Sequence, residues 1–203
     1  MYDMVEESRI QRFPKQTKYH LDYDKMQVGD VWGTVCQAPI AIGIKIRTWG
    51  LRHALSLGKC SHMAIVVRIE SQFFLVEAIG RGVIISTCHK YLNPGPGNLL
   101  KQVCWIGRHT KMEPGNIEWL NTQLLRLAFD SPGYDTGGAA HFAIPFLRHS
   151  PMKLFCSELV DTAFTATDKD LAILPSKSPW QIVPADYQRS SLMRDLTAET
   201  VKR

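Results

Sequence analysis

The chain has 203 residues, 45% of them hydrophobic, and a formal charge of +5, which fits one globular domain with an ordinary core. Its 24 basic residues are scattered and no nucleic-acid-binding module is recognisable, so we expect no nucleic-acid partner. The longest apolar run, 38–46, contains Lys45 and is too short to span a bilayer, and the charged start of the chain lacks a signal-peptide core, so we expect a cytoplasmic protein.

The first half of the chain predicts a polar surface leader, one helix and a group of strands. The leader covers residues 1–27, and apolar residues between 39 and 57 have roughly helical spacing, weakened by Gly43 and Gly50. Two strands separated by a short polar connection predict an antiparallel hairpin. The predicted strands are 28–32, 63–69, 73–78, 83–87 and 103–106.

The second half predicts two helices separated by loops. Asn116 is a plausible N-cap for a helix of which Leu120 and Leu124 form part of the apolar face, and a second helix should start near Cys156. The tail, 188–203, is polar and is expected to be a short helix or disordered. This order predicts an α+β fold with an antiparallel sheet.

Cys156 is the best candidate for a nucleophile. The unpaired N–H groups at a helix start favour an anion, so they would favour the Cys156 thiolate. The Cys156 backbone N–H could also donate to the oxyanion of a tetrahedral intermediate. The chain has five cysteines and no CxxC pair, which argues for reduced thiols rather than disulfides. The alternative is that Cys156 is a buried structural cysteine.

His62 and Glu77 are candidates for the partners of this thiol. His62 opens the strongest predicted strand, from whose end a side chain can project into a cleft. Glu77 lies in an apolar strand, where carboxylates are seldom buried without a partner. Across the hairpin, Glu77 would fix the tautomer of His62 and stabilise its charged form. The alternatives are a satisfied histidine and an exposed edge carboxylate.

These residues resemble the motifs of a known family. A Gly-Asp turn at Gly29, a Ser-His strand at 61–67, a strand glutamate at Glu77 and a Cys-Ser-Glu-Leu-Val string at 156–160 are similar to the circularly permuted papain-like cysteine hydrolases, in the YiiX/YaeF-type branch of the NlpC-like superfamily. The match spans roughly 28–187, which the resemblance implies to be the catalytic domain. Met63-Ala64 departs from the Val-Gly-like pair often found in the family.

The resemblance implies a circularly permuted papain-like fold, with an antiparallel sheet packed against helices and the nucleophile at a helix N-terminus. It also implies a Cys156–His62–Glu77 triad that cleaves an amide bond through a thioester acyl-enzyme, as an amidase or peptidase. Tyr134 and the Cys156 backbone are candidates for contacting the oxyanion or the substrate. The expected substrates are peptide, peptidoglycan-like or lipid acyl compounds. Two alternatives remain: a lipid-directed acyltransferase or esterase using the same site, and an inactive binding protein with this fold.

A metal site is the main rival use of these residue types. Cys60, His62, Cys88 and His89 carry suitable donor atoms, but they lack the paired spacing of structural zinc motifs. We therefore predict no metal site and no cofactor. The sequence leaves the oligomeric state and the identity of the substrate open.

Overall fold

The structure, a computed structural model, describes most of the chain in seven segments. These are 20–35, 39–50, 59–92, 102–130, 132–134, 153–178 and 181–202. Ten strands are assigned in these segments: β1 His20–Leu21, β2 Val31–Val35, β3 His62–Ile69, β4 Gln72–Ile79, β5 Gly82–Thr87, β6 Gln102–His109, β7 Gly133–Tyr134, β8 Lys153–Leu154, β9 Met193–Asp195 and β10 Val201–Lys202. The α-helices are α1 Pro39–Trp49, α2 His89–Leu92, α3 Pro114–Asp130, α4 Cys156–Thr167, α5 Pro184–Arg189 and α6 Thr197–Thr200.

Six strands form one antiparallel sheet in the order β5-β4-β3-β2-β6-β9. The predicted hairpin is its centre: β3 and β4 pair from Ala64 opposite Glu77 to Ile69 opposite Gln72, and Glu70 makes the tight turn with a positive φ of 55°. The predicted α+β class with an antiparallel sheet is therefore confirmed.

Both faces of the sheet are buried. Because successive side chains of a strand point to opposite sides, the residues of β3 alternate between two apolar clusters. On one face, Met63 and Ile65 pack in the same apolar cluster as residues of α3 and α4. On the other face, Ala64 and Val66 pack with Tyr91 of α2 and with residues near both ends of the described chain. The two apolar layers hold β3 rigidly, and β3 carries the candidate histidine at its first position.

The ends of the predicted catalytic domain differ from the ends of the fold. Within the part assigned to a leader, β1 pairs with β10 from the C-terminal tail, and residues 1–19 lie outside the described segments. The tail also supplies β9, which pairs with β6 through Gly107 and Asp195. Residues 20–27 and 188–202 are thus integral to the domain, because their backbone groups complete two sheets.

Three details of the predicted elements change. The helix α3 begins at Pro114, two residues before the predicted N-cap Asn116, and Pro is well suited to a first helical turn. The first helix ends at Trp49, and residues 51–57 of its predicted range fall outside the described segments. The short helix α2 was not predicted. No helix in the described residues has the length and apolar character needed to cross a membrane.

Candidate active site

Cys156 is the first residue of α4, as the sequence predicted. The helix start is well formed: the Leu159 N–H donates to the Phe155 carbonyl at 2.9 Å, and the Phe155 N–H donates to the Glu158 carboxylate at 3.3 Å. The Cys156 thiol is free and its residue is 4% exposed. Its sulfur therefore lies at the positive end of a three-turn helix, in a pocket with little access to water.

His62 lies between Cys156 and Glu77. Its Nε2 is 2.9 Å from Glu77 Oε2, which leaves Nδ1 as the ring nitrogen free to face another group. Burial by itself lowers the pKa of His62, but the charge and hydrogen bond of Cys156 and those of Glu77 outweigh it and raise the pKa to about 9. The surroundings of His62 therefore favour a protonated imidazole at neutral pH, whose positive charge stabilises the negative charge of its neighbours.

Glu77 is fully buried and is held by donors from three elements. Its Oε2 accepts from His62 of β3 and from the Tyr91 hydroxyl of α2. Its Oε1 accepts from Lys90 of α2, at 2.5 Å, and from the Ser86 hydroxyl of β5. Burial raises the pKa of this carboxyl, yet the hydrogen bonds and charges of its partners hold the pKa well below its ordinary value.

The register of the sheet explains how these side chains meet. Glu77 pairs with Ala64, and Thr34 pairs with His62, so all four lie on the face that α2 covers. Cys156 belongs to the apolar cluster of the opposite face, with Met63 among others. Because His62 is the first residue of β3, its ring reaches the helix tip at the end of the sheet rather than through it.

The other sequence candidates have different placements. The backbone of Tyr134 lies beside Leu154, two residues before Cys156, in the parallel pair β7–β8, but the Tyr134 side chain lies outside what the structure describes. Cys60 is buried, and its sulfur lies 3.4 Å from the Pro184 carbonyl oxygen. That contact agrees with a packing role.

Two residues of the family-like motifs act in the scaffold. Asp30 caps its turn by accepting from the Gln27 N–H at 2.8 Å, and both of its oxygens accept from Arg108 of β6, at 2.7 and 2.8 Å. Ser157 does not cap α4; its hydroxyl donates to the Ile182 carbonyl at 2.6 Å and ties the helix start to the segment before α5.

Sequence reasoning missed the donors Ser86, Lys90 and Tyr91. The buried position of Glu77 predicted a cationic or N–H-bearing partner but identified only His62. The available signal was the polar Lys90 shortly after the predicted strand 83–87, on a segment too short for helical periodicity to be visible.

The donor set of the described residues does not fit a resident metal ion. No group of three or more His, Cys, Asp or Glu side chains in these segments is arranged to hold one. Cys88 and Cys60 instead lie beside carbonyl oxygens, those of Phe73 at 3.7 Å and Pro184 at 3.4 Å. We therefore derive no chemical step through a metal.

The fold defines an α+β protein with a six-stranded antiparallel sheet and helices on both faces. A solved structure with this fold is that of the metalloprotein YiiX (DUF1105) from Escherichia coli O157:H7, which aligns with a TM-score of 0.56 over 83% of this chain and 95% of that one. The two sequences are 13% identical, so the likeness is one of fold. No protein-family model and no curated protein matches the chain.

Proposed function

We propose that the protein is a cysteine-nucleophile hydrolase with a circularly permuted papain-like fold, in which Cys156, His62 and Glu77 form the triad. The observation that carries the proposal is the position of the His62 ring, which is bonded to a buried carboxylate and has its pKa raised by the thiol at the start of α4. A nucleophile, a base and a group that orients the base are the parts that covalent catalysis requires.

The proposed reaction is acyl transfer in two steps. The Cys156 thiolate attacks the carbonyl carbon and forms a C–S bond, and N–H groups at the start of α4 receive the developing oxyanion. As the C–N bond breaks, the His62 imidazolium gives its proton to the departing amine. Water, deprotonated by the neutral His62, then attacks the thioester, releases the acid and returns the proton to the thiol–imidazole pair.

An amide is the substrate class that we favour, in a peptide or peptidoglycan-like compound. Proton delivery by a histidine of raised pKa suits an amine leaving group, which departs poorly without a proton. A lipid acyl ester would react through the same thioester, and transfer to an acceptor other than water would make the protein an acyltransferase. A panel of peptide amides and lipid esters, with and without an amine or alcohol acceptor, distinguishes these reactions.

Alkylation tests the nucleophile without knowledge of the substrate. The protein is treated with iodoacetamide at pH 7, and each cysteine is quantified by peptide mapping. Cys104 is the informative comparison, because it is more exposed than Cys156 while burial raises its pKa to about 12. If exposure controlled the rate, Cys104 would react first; if thiolate character controls it, Cys156 reacts first.

We expect Cys156 to react at least about tenfold faster than Cys60, Cys88 and Cys104, and to lose this advantage in H62Q. C60S is the matched control, since it removes a neighbouring buried thiol and should leave the Cys156 rate unchanged. Equal, slow labelling of all the cysteines in the wild-type protein would overturn the proposal and favour a binding protein with this fold.

A further inference from the structure

The two oxygens of Glu77 face two different cations. Oε2 accepts from His62, and Oε1 accepts from the Lys90 ammonium at 2.5 Å. Ser86 and Tyr91 complete the set of donors, one on each oxygen. Orienting an imidazole requires one carboxylate oxygen that accepts a hydrogen bond from its N–H, so a lysine on the other oxygen needs a separate account.

We propose that Lys90 is a positioning residue that, through Glu77, sets the pH range in which His62 keeps its proton and Cys156 reacts. The inference rests on the proposed function, because it concerns the same thiol–imidazole pair. Lys90 would not touch the reacting atoms; it would change the charge that Glu77 presents to His62.

The direction of the effect follows from the sign of the charges. Without a neighbouring cation, the Glu77 carboxylate would stabilise the His62 imidazolium strongly, so the imidazolium would lose its proton only at high pH. The Lys90 charge partly cancels that of Glu77 and so makes the His62 proton easier to remove. Lys90 therefore moves the loss of the proton toward neutral pH, where a general acid that must also act as a base is most effective.

The other ionisable groups around the pair fall into two sets. From α4, the Cys156 side chain helps to raise the pKa of His62. Two further groups lie within electrostatic range of Cys156: Tyr187 in α5 and Cys60 before β3. Burial raises the pKa of both, so both stay neutral in the pH range where Cys156 is expected to react. Tyr91 of α2 donates its hydroxyl to Glu77.

The second set is Lys90 alone, whose positive charge is the subject of the proposal. Lys90 contributes the cation facing Glu77, and its side chain is 29% exposed. Its charge is thus partly screened by water, which keeps its influence to about one pH unit rather than several.

The test compares the pH dependence of iodoacetamide labelling at Cys156 in four proteins, from pH 5 to 11. K90M removes the charge and keeps most of the side-chain length, K90R keeps the charge, and K169M removes an exposed lysine just after the C-terminal end of α4. The wild-type rate should show a step near pH 9, where His62 loses its proton. A parallel titration of the His62 ring signal by NMR assigns that step to the imidazole.

We expect the step to move up by about one pH unit in K90M and to stay within a few tenths of a unit in K90R and K169M. A purely structural role would lower the melting temperature and leave the step in place. If K90M does not fold, K90Q is the second neutral variant, and a downward or absent shift in either overturns the inference. Selective Cys156 labelling in the wild type with no shift refutes this inference alone, whereas unselective wild-type labelling refutes the proposed function.

Discussion

Replacing Glu77 by glutamine is the most direct perturbation of the candidate site. The amide keeps the size of the carboxylate but removes its charge and turns one acceptor into an NH₂ donor. At least one of the four groups that donate to Glu77 would then face another donor, inside a position that is fully buried. His62 would also lose the charge that helps to hold its proton.

The expected loss of stability is set by burial. Breaking a buried charge pair by removing one partner costs roughly 3–5 kcal/mol, because the other charge is left uncompensated. Lys90 is 29% exposed and can turn toward water, so the lower end of that range applies here. A loss of about 3 kcal/mol corresponds to a fall in melting temperature of roughly 6–12 °C for a chain of this size.

Urea unfolding of E77Q and wild type at several pH values measures the effect. The folded state lowers the pKa of Glu77, so its contribution is present above the unfolded value of about 4.3 and is lost as pH falls toward the lowered folded value. The gap between the two proteins should therefore be full at pH 7 and shrink below about pH 4.

E118Q is the matched control, since Glu118 also pairs with a basic residue, Arg68, but its side chain is 70% exposed. Its substitution should cost less than about 1 kcal/mol. Equal losses in E77Q and E118Q, or a gap for E77Q that does not change with pH, would refute the reasoning.

Two further substitutions probe the His62–Cys156 pair and the turn that leads into β2. The folded state raises the pKa of His62 to about 9, so protonated His62 contributes about 3 kcal/mol to the free energy of unfolding. This contribution is fully present below the unfolded pKa of about 6.5 and is lost as pH rises through 9. The decline should be absent in H62Q, and an identical decline in both proteins would contradict the assignment. Gly29 and Gly50 both have φ near 90°, but a Cβ at Gly29 would lie 2.7 Å from Leu120, whereas within the described segments nothing lies within 4 Å of one at Gly50. By thermal unfolding, G29A should lose more stability than the roughly 1–2 kcal/mol expected for G50A from backbone strain alone, and equal losses would rule out the steric clash.

Periodic and chemically constrained features were predictable from the sequence. The two apolar strands and the short polar connection between them predicted an antiparallel hairpin, which the structure confirms, with Glu77 near His62. That pairing could be inferred because a carboxylate in an apolar strand must find a partner. The start of α4 at Cys156 followed from the helical spacing of the apolar residues after it.

Short and polar elements were not predictable in the same way. The edge strand β9 has three residues, two of them charged, which protects a sheet edge but hides the strand from any search for alternating apolar residues. The four-residue helix α2 has a similar problem, since it completes barely one turn. Yet α2 supplies Lys90 and Tyr91, half of the donors to Glu77. The immediate environment of the site thus depends on elements whose formation is decided by tertiary contacts.

The difference in burial between His62 and Glu77 determines which of them changes charge. Glu77 is fully buried and accepts from His62, Lys90, Ser86 and Tyr91, so adding a proton to it would break at least one hydrogen bond with no water nearby to replace it. The His62 side chain is 15% exposed and contacts a thiol that can take or return a proton. We therefore expect proton movement on the His62–Cys156 pair while Glu77 remains an anion, which is the division of roles that the proposed acyl transfer requires.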